Sequence, residues 1–241
     1  MATGKTALVV SAHSADFVWR AGGAIALHAE RGYAVTVICL SYGERGESAK
    51  LWRQEGMTLE RVKIERRKEA EKAAKHLGVG DIQFWDLGDY PIKLEDEALF
   101  RLVDVYRATH PAFVLSHSLK DIYNHDHPAV TEFAQHARII AQAHGHKPGE
   151  GVLGAPPAYL FEPHQPEQCN FSPDMILDIS EVFDKKRQAF ECLVAQEYLW
   201  DYYTRVALNR GIQGARNSER KQMKYGEAYQ RVFPSVGEEF V

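Results

Sequence analysis

At 241 residues, 45% hydrophobic and 26% charged, the chain carries enough apolar content for one sizeable core and too little length for two full domains. Its formal charge of -4, from 29 basic and 33 acidic residues, argues against nucleic acid or an anionic membrane as partner and leaves a small molecule as the expected ligand. Cys39, Cys169 and Cys192 are far apart and form no C-x-x-C, which excludes a disulfide framework or thiolate metal cage and suggests a reducing cytoplasm.

In chain order, the first predicted strand, residues 6–12, is a continuous apolar run of the kind buried on both faces of a sheet. No run reaches the roughly eighteen apolar residues of a membrane span, and "MATGKTALVV" has neither the length nor the cleavage signal of a signal peptide. The stretch "AHSADFVWRAGG" leads from this strand into a helix over 17–31 that Gly32 stops. A second strand over 34–41 runs into "SYGERGES". The charged segment "ERVKIERRKEAEKAAKHLG" reads as a helix over 58–77 with a solvated face, Val62, Ala70, Ala73 and Leu77 inside, and Gly78 as its stop.

Strands follow over 81–85 and 112–117, with a helix over 95–109 between them. Next come the histidine-rich "SHSLKDIYNHDHPAV", a helix over 128–144 and a Gly- and Pro-rich loop over 147–157. A strand over 158–161 leads into "EPHQPE", and another covers 175–179. From 181 to 241 the pattern is helical and aromatic, expected to pack on the domain or to meet another subunit of a homo-oligomer. The alternation predicts a single α/β domain over 1–241: a Rossmann-like, doubly wound, mostly parallel sheet with helices on both faces and a helical C-terminal extension. "TGKT" lacks the upstream glycine of a phosphate loop and precedes its strand, and no G-x-S-x-G exists.

Two polar clusters then stand out by position. His13-x-x-Asp16 and the group His117, Asp121, His125, Asp126, His127 both begin where a predicted parallel strand ends, and doubly wound sheets assemble their sites there. Two imidazoles and one carboxylate would leave an open position on a zinc ion, the pattern of a catalytic site.

"AHSADF", "SYGERGES", "RRKEAEKAAKHLGV" and "NHDHPAV", in this order over roughly the first 130 residues, resemble the landmarks of the PIG-L, or LmbE-like, zinc-dependent deacetylase family. The resemblance implies His13, Asp16 and His127 as zinc ligands, other divalent metals being compatible with such a set, and Asp126 as the carboxylate orienting a neighbouring imidazole. Three positions depart from the deacetylase pattern. The family's general base is Ala15 here, the first histidine of its H-P-D-H is Asn124, and the aspartate that holds a sugar hydroxyl is Pro91. With alanine at the base position, the chain looks like the branch of the family that hydrates 4-oxalomesaconate, a tricarboxylate.

That resemblance implies Glu47 as activator of the water and His164 as proton donor, with Glu44 a competitor for the first role. A polyacid needs cations, and Arg20, Arg45 and Arg66 are the expected partners, with Asn124 and Tyr42 lining the pocket and Arg216 a more distant candidate. Two other readings stay open: an amide hydrolase that recruits Glu47 as base, and a non-catalytic protein that binds a metal or a sugar acid.

Overall fold

A computed structural model describes residues 4–237. The first three residues of the stretch read as lacking a signal peptide, and the last four of the C-terminal extension, lie outside them. Strands β1 (Thr6–Ser11), β2 (Ala34–Cys39), β3 (Asp81–Phe84), β4 (Phe113–Ser116) and β5 (Ala158–Phe161) are parallel to one another. Strands β6 (Met175–Asp178) and β7 (Gly226–Arg231) complete a seven-stranded sheet of order β3-β2-β1-β4-β5-β7-β6, with β7 antiparallel to both neighbours.

The continuous apolar character of β1 is explained by cores on both sides. Ala7 and Val9 pack with helices α1 (Asp16–Glu30), α3 (Leu59–Leu77), α6 (Phe183–Glu191) and α7 (Trp200–Arg216), while the short helix α2 (Ala49–Trp52) joins a small separate cluster through Leu51. Leu8 and Val10 pack with α4 (Asp96–Thr109) and α5 (Asp126–Ala141). Each large side chain buried in this way contributes about 1.5–3 kcal/mol. In α3 the inward stripe is Val62, Arg66, Ala70, Ala73 and Leu77; Thr58 caps its start by accepting the Arg61 N–H, and Gly78 ends it in left-handed backbone at φ 74°.

The C-terminal segment departs from the expected helical extension. It is helical through α7, but β7 then enters the sheet between β5 and β6. Glu227, a charged residue at the second position of this strand, disguises it in the sequence. Its carboxylate is buried because it accepts the Gly23 and Ala24 N–H groups of α1, both at 2.7 Å, and pairs with Lys186 Nζ at 2.6 Å. Much of the aromatic run is used internally: Tyr203 stacks on Trp19, and Tyr202 on His164. Among the described residues, no helix is long and apolar enough to cross a membrane.

Chain order reverses beside β1, which lies between β2 and β4. The connections that leave the carboxyl ends of β1 and β4 diverge there and open a crevice. The segment at 13–16 and the loop at 117–127 meet in it: the Ala12 N–H donates to His117 Nε2 at 2.9 Å across the two strand ends.

Candidate metal centre

His13 and Asp16 sit on the turn that joins β1 to α1. The His13 N–H donates to Asp16 Oδ2 at 3.0 Å, and His13 Nδ1 lies 3.0 Å from the same oxygen. The other ring nitrogen, Nε2, faces Asp126 Oδ2 at 3.4 Å. Asp126 is fixed in turn, since it accepts the N–H groups of Tyr90 at 3.0 Å and Ile92 at 3.1 Å. It therefore orients the His13 ring and leaves Nδ1 for the cluster. His127 is held the same way: its Nδ1 meets Asp121 Oδ2 at 2.8 Å, and its Nε2 lies 3.5 Å from Asp16 Oδ2.

Glu47 arrives from the loop after β2. Gly43, at φ 68°, permits the turn; its carbonyl accepts the Glu47 N–H at 3.1 Å and the Ser48 hydroxyl at 2.8 Å. Glu47 Oε1 then stands 3.2 Å from His13 Nδ1. Glu44, the competitor, is buried elsewhere, where it accepts the Tyr42 N–H and meets Arg45. Ala15 is fully buried within the apolar core, so no acidic group occupies the place of the deacetylase base.

One ligand atom from each of His13, Asp16, Glu47 and His127 falls within 4.8 Å of the others, a set able to hold a metal ion. The fit has independent support, because His127 Nε2 and one oxygen of Glu47 are buried without any protein hydrogen-bond partner. The electrostatics agree. Burial opposes ionisation of Asp16 and Glu47, yet the adjacent imidazoles, His127 for Asp16 and His13 for Glu47, hold both carboxyls below their usual range. Burial likewise opposes a charge on His13, but Glu47, Asp126 and Asp16 raise it well above an ordinary imidazole. A pocket that pulls a proton onto a buried imidazole carries excess negative charge, and a divalent cation satisfies it.

The remaining predicted residues separate into groups. Arg20 Nε meets Asp16 Oδ1 at 3.3 Å, and its Nη1 donates to the Glu162 carbonyl at 2.9 Å, which places its charge beside the cluster. Arg45 lies half-exposed on the far side of the loop, bonded to Glu44 and Asp89, in a cleft of about 740 Å³ lined also by Lys63, Tyr90 and Arg101. His164 lies on the loop after β5, where its ring stacks on Tyr202 with centroids 4.2 Å apart and lines a groove with Glu162, Arg205 and Arg210. Burial and then the Arg20 charge lower its pKa.

Arg66 requires correction as a substrate partner. It is wholly buried, and its guanidinium is consumed by the Tyr42 carbonyl, Glu69 and Gln196, at 3.3, 2.8 and 2.8 Å. Asn124 also serves the backbone, its side-chain oxygen accepting the Asp126 N–H at 3.1 Å at the start of α5. The Tyr42 ring stacks on Phe84, and Arg216 is exposed at the end of α7.

Three neighbours of the cluster went unassigned in the sequence. Asp121 lay in the right loop without a stated role. His117 stacks on His127 with centroids 4.2 Å apart, and burial and then His127 keep it neutral. Tyr90 stacks over His13 at 6.1 Å, and burial and the Glu47 charge push its phenol up to about 12. No spacing in the sequence marks Tyr90, since its proximity arises from the meeting of two loops.

Fold and cluster together define a class: doubly wound α/β proteins with a His/Asp/Glu site, able to hold one metal ion, at the switch point of the sheet. Residues 8–138 match the family model PIG-L: GlcNAc-PI de-N-acetylase, and the chain belongs to that family. 4-Oxalmesaconate hydratase of Pseudomonas putida is 62% identical over 237 residues, which cover 97% of this chain and 92% of that protein. The crystal structure of GalB, the 4-carboxy-2-hydroxymuconate hydratase of P. putida, superposes with a TM-score of 0.96 at 61% identity, over 98% of this chain and 100% of that one. N,N'-diacetylchitobiose deacetylase of Pyrococcus horikoshii shares the fold at a TM-score of 0.75 and 21% identity, over 95% of this chain and 84% of that one.

Proposed function

We propose that the chain is a metal-dependent hydratase that adds water to 4-oxalomesaconate, or its tautomer 4-carboxy-2-hydroxymuconate, giving 4-carboxy-4-hydroxy-2-oxoadipate in gallate and protocatechuate degradation. The observation that carries this reading is the 62% identity, over nearly the whole chain, to a 4-oxalmesaconate hydratase. The buried Ala15 supports it against amide hydrolysis, and the unpartnered Glu47 oxygen supports a second base position. The expected setting is cytoplasmic, with a homo-oligomer as the working state.

His13, Asp16 and His127 would hold the ion, for which we infer zinc. A zinc ion bound there would supply Lewis acidity, lowering the pKa of a water toward neutrality. Glu47, beside His13, would serve as the general base, taking a proton from the attacking water as its oxygen bonds to one alkene carbon. His164 delivers a proton to the adjacent carbon, so that one water is added across the double bond and no electrons are gained or lost. Asp126 and Asp121 keep the imidazoles of His13 and His127 in register. Arg20 offers its charge to a substrate carboxylate, and Arg45 is a second candidate at the outer cleft.

The test is loss of the conjugated ultraviolet absorbance of 4-carboxy-2-hydroxymuconate on addition of the zinc-loaded protein, with a chelated control. Rapid metal-dependent loss is the expected result. If no loss occurs with the metal verified in place, the hydratase reading falls.

A further inference from the structure

We propose that Tyr90 is a substrate-contacting residue and the specificity element of this site, its ring held beside His13 and Glu47 by the slot that Gly46 leaves for it. The inference deepens the hydratase reading and rests on it for the nature of the ligand.

The backbone fixes the ring. Tyr90 adopts φ 49°, left-handed backbone that carries a conformational cost for any residue other than glycine. The cost is offset by its N–H, which donates to Asp126 Oδ2 at 3.0 Å, the oxygen that also meets His13 Nε2. One residue earlier, the Asp89 carboxylate accepts the N–H groups of both Arg45 and Gly46, with its nearer oxygen 2.9 Å from each. The loops after β2 and β3 are thus tied to each other and to the residue that orients His13.

Gly46 is explained by the ring and not by its own backbone. Its φ lies outside the left-handed region, so other residues can adopt its conformation, yet a Cβ there would stand 1.8 Å from Tyr90 Cε2 and 2.4 Å from Cζ. Any side chain at 46 therefore expels the tyrosine ring from its place. The ring is half-exposed beside the cluster, and its hydroxyl has no protein hydrogen-bond partner among the described residues. A phenol that is protonated at neutral pH offers one donor hydrogen and a flat apolar face. These suit a planar, conjugated acid, the face stacking on the unsaturated carbons and the hydroxyl donating to a carboxylate or carbonyl oxygen. They suit a sugar less well, and Pro91, the next residue, lacks the carboxylate with which the deacetylase pattern holds a sugar hydroxyl.

The experiment uses zinc-loaded protein and four variants: Tyr90→Phe, Tyr90→Ala, Gly46→Ala and the Tyr90→Ala/Gly46→Ala double. Two readouts are taken, kcat/KM on 4-carboxy-2-hydroxymuconate and calorimetric binding of tricarballylate, an unreactive tricarboxylate. Loss of one hydrogen bond to a charged oxygen predicts that Tyr90→Phe lowers both by about tenfold to a hundredfold, with bound zinc and Tm unchanged. Gly46→Ala should match Tyr90→Ala, and the double variant should fall no further, because the ring is lost only once. The proposal is overturned if Tyr90→Phe stays within about twofold of the parent in both readouts, or if the Gly46 and Tyr90 effects multiply. A parent that binds tricarballylate without turnover sinks the hydratase reading alone, and the binding arm then decides Tyr90. A parent that does neither overturns both.

Discussion

His164 shows how one side chain can be prepared for two states. Burial and the Arg20 charge lower its pKa in the free protein, so the imidazole is mostly neutral at pH 7. A proton donor must be charged, and the carboxylates of an arriving tricarboxylate push in the opposite direction. The expected outcome in an NMR titration is a His164 midpoint below the ordinary imidazole value of about 6.5 in the free protein and above it with tricarballylate bound. An unmoved midpoint would count against His164 as the donor. Ala15 carries a second prediction. Because it is buried in apolar surroundings, Ala15→Asp places a carboxylate where little solvates it, so calorimetry should show a lower Tm, and assays should show loss of hydration with no amide hydrolysis gained. Efficient deacetylation by that variant would refute the account of the site.

Among the elements, α3 displays the division between solvated charge and buried charge most clearly. Val62, Ala70, Ala73 and Leu77 are inside, as the helical period requires, and nearly all the charges between them are outside. Arg66 breaks that pattern because it bridges three elements: the Tyr42 carbonyl after β2, Glu69 on α3, and Gln196 in the 3₁₀ turn Val194–Leu199. Arg66→Ala strands those partners and is expected to cost about 3–5 kcal/mol in denaturant unfolding. KM of the folded fraction should change by less than about threefold, since the guanidinium is buried and engaged by these three partners. A large KM effect without loss of stability would restore Arg66 to the substrate. β7 is the converse case. Its buried Glu227 reads as a surface residue in the sequence, and it becomes a strand residue only because α1 and α6 supply two backbone N–H groups and Lys186.

At the scale of the whole molecule, three segments distant in sequence, carrying His13 and Asp16, Glu47, and His127, converge at one crevice, and a bound cation would relieve the repulsion between their carboxylates. Metal that binds only the native state stabilises it by mass action, about 2.7 kcal/mol when free metal exceeds Kd a hundredfold. For a chain of this size, chelation should lower Tm by about 5–10 °C and zinc should restore it, as read by scanning calorimetry. A Tm indifferent to verified metal removal would exclude the cluster as a structural load on the fold. The sequence by itself determined the parallel sheet, the helix stops and the two polar clusters at 13–16 and 117–127, because these follow from short-range periodicity and from strand ends that a doubly wound topology gathers together; the choice of His13, Asp16 and His127 within them came from the resemblance to the family. It also carried the Glu47 loop through its resemblance to the family. Only the tertiary structure brought Glu47 and not Glu44 beside His13, turned Arg66 and Asn124 inward as supports, inserted β7 and brought Tyr90 over His13. Each of these depends on which buried groups find partners across the chain, and that pairing leaves no period in the sequence to read.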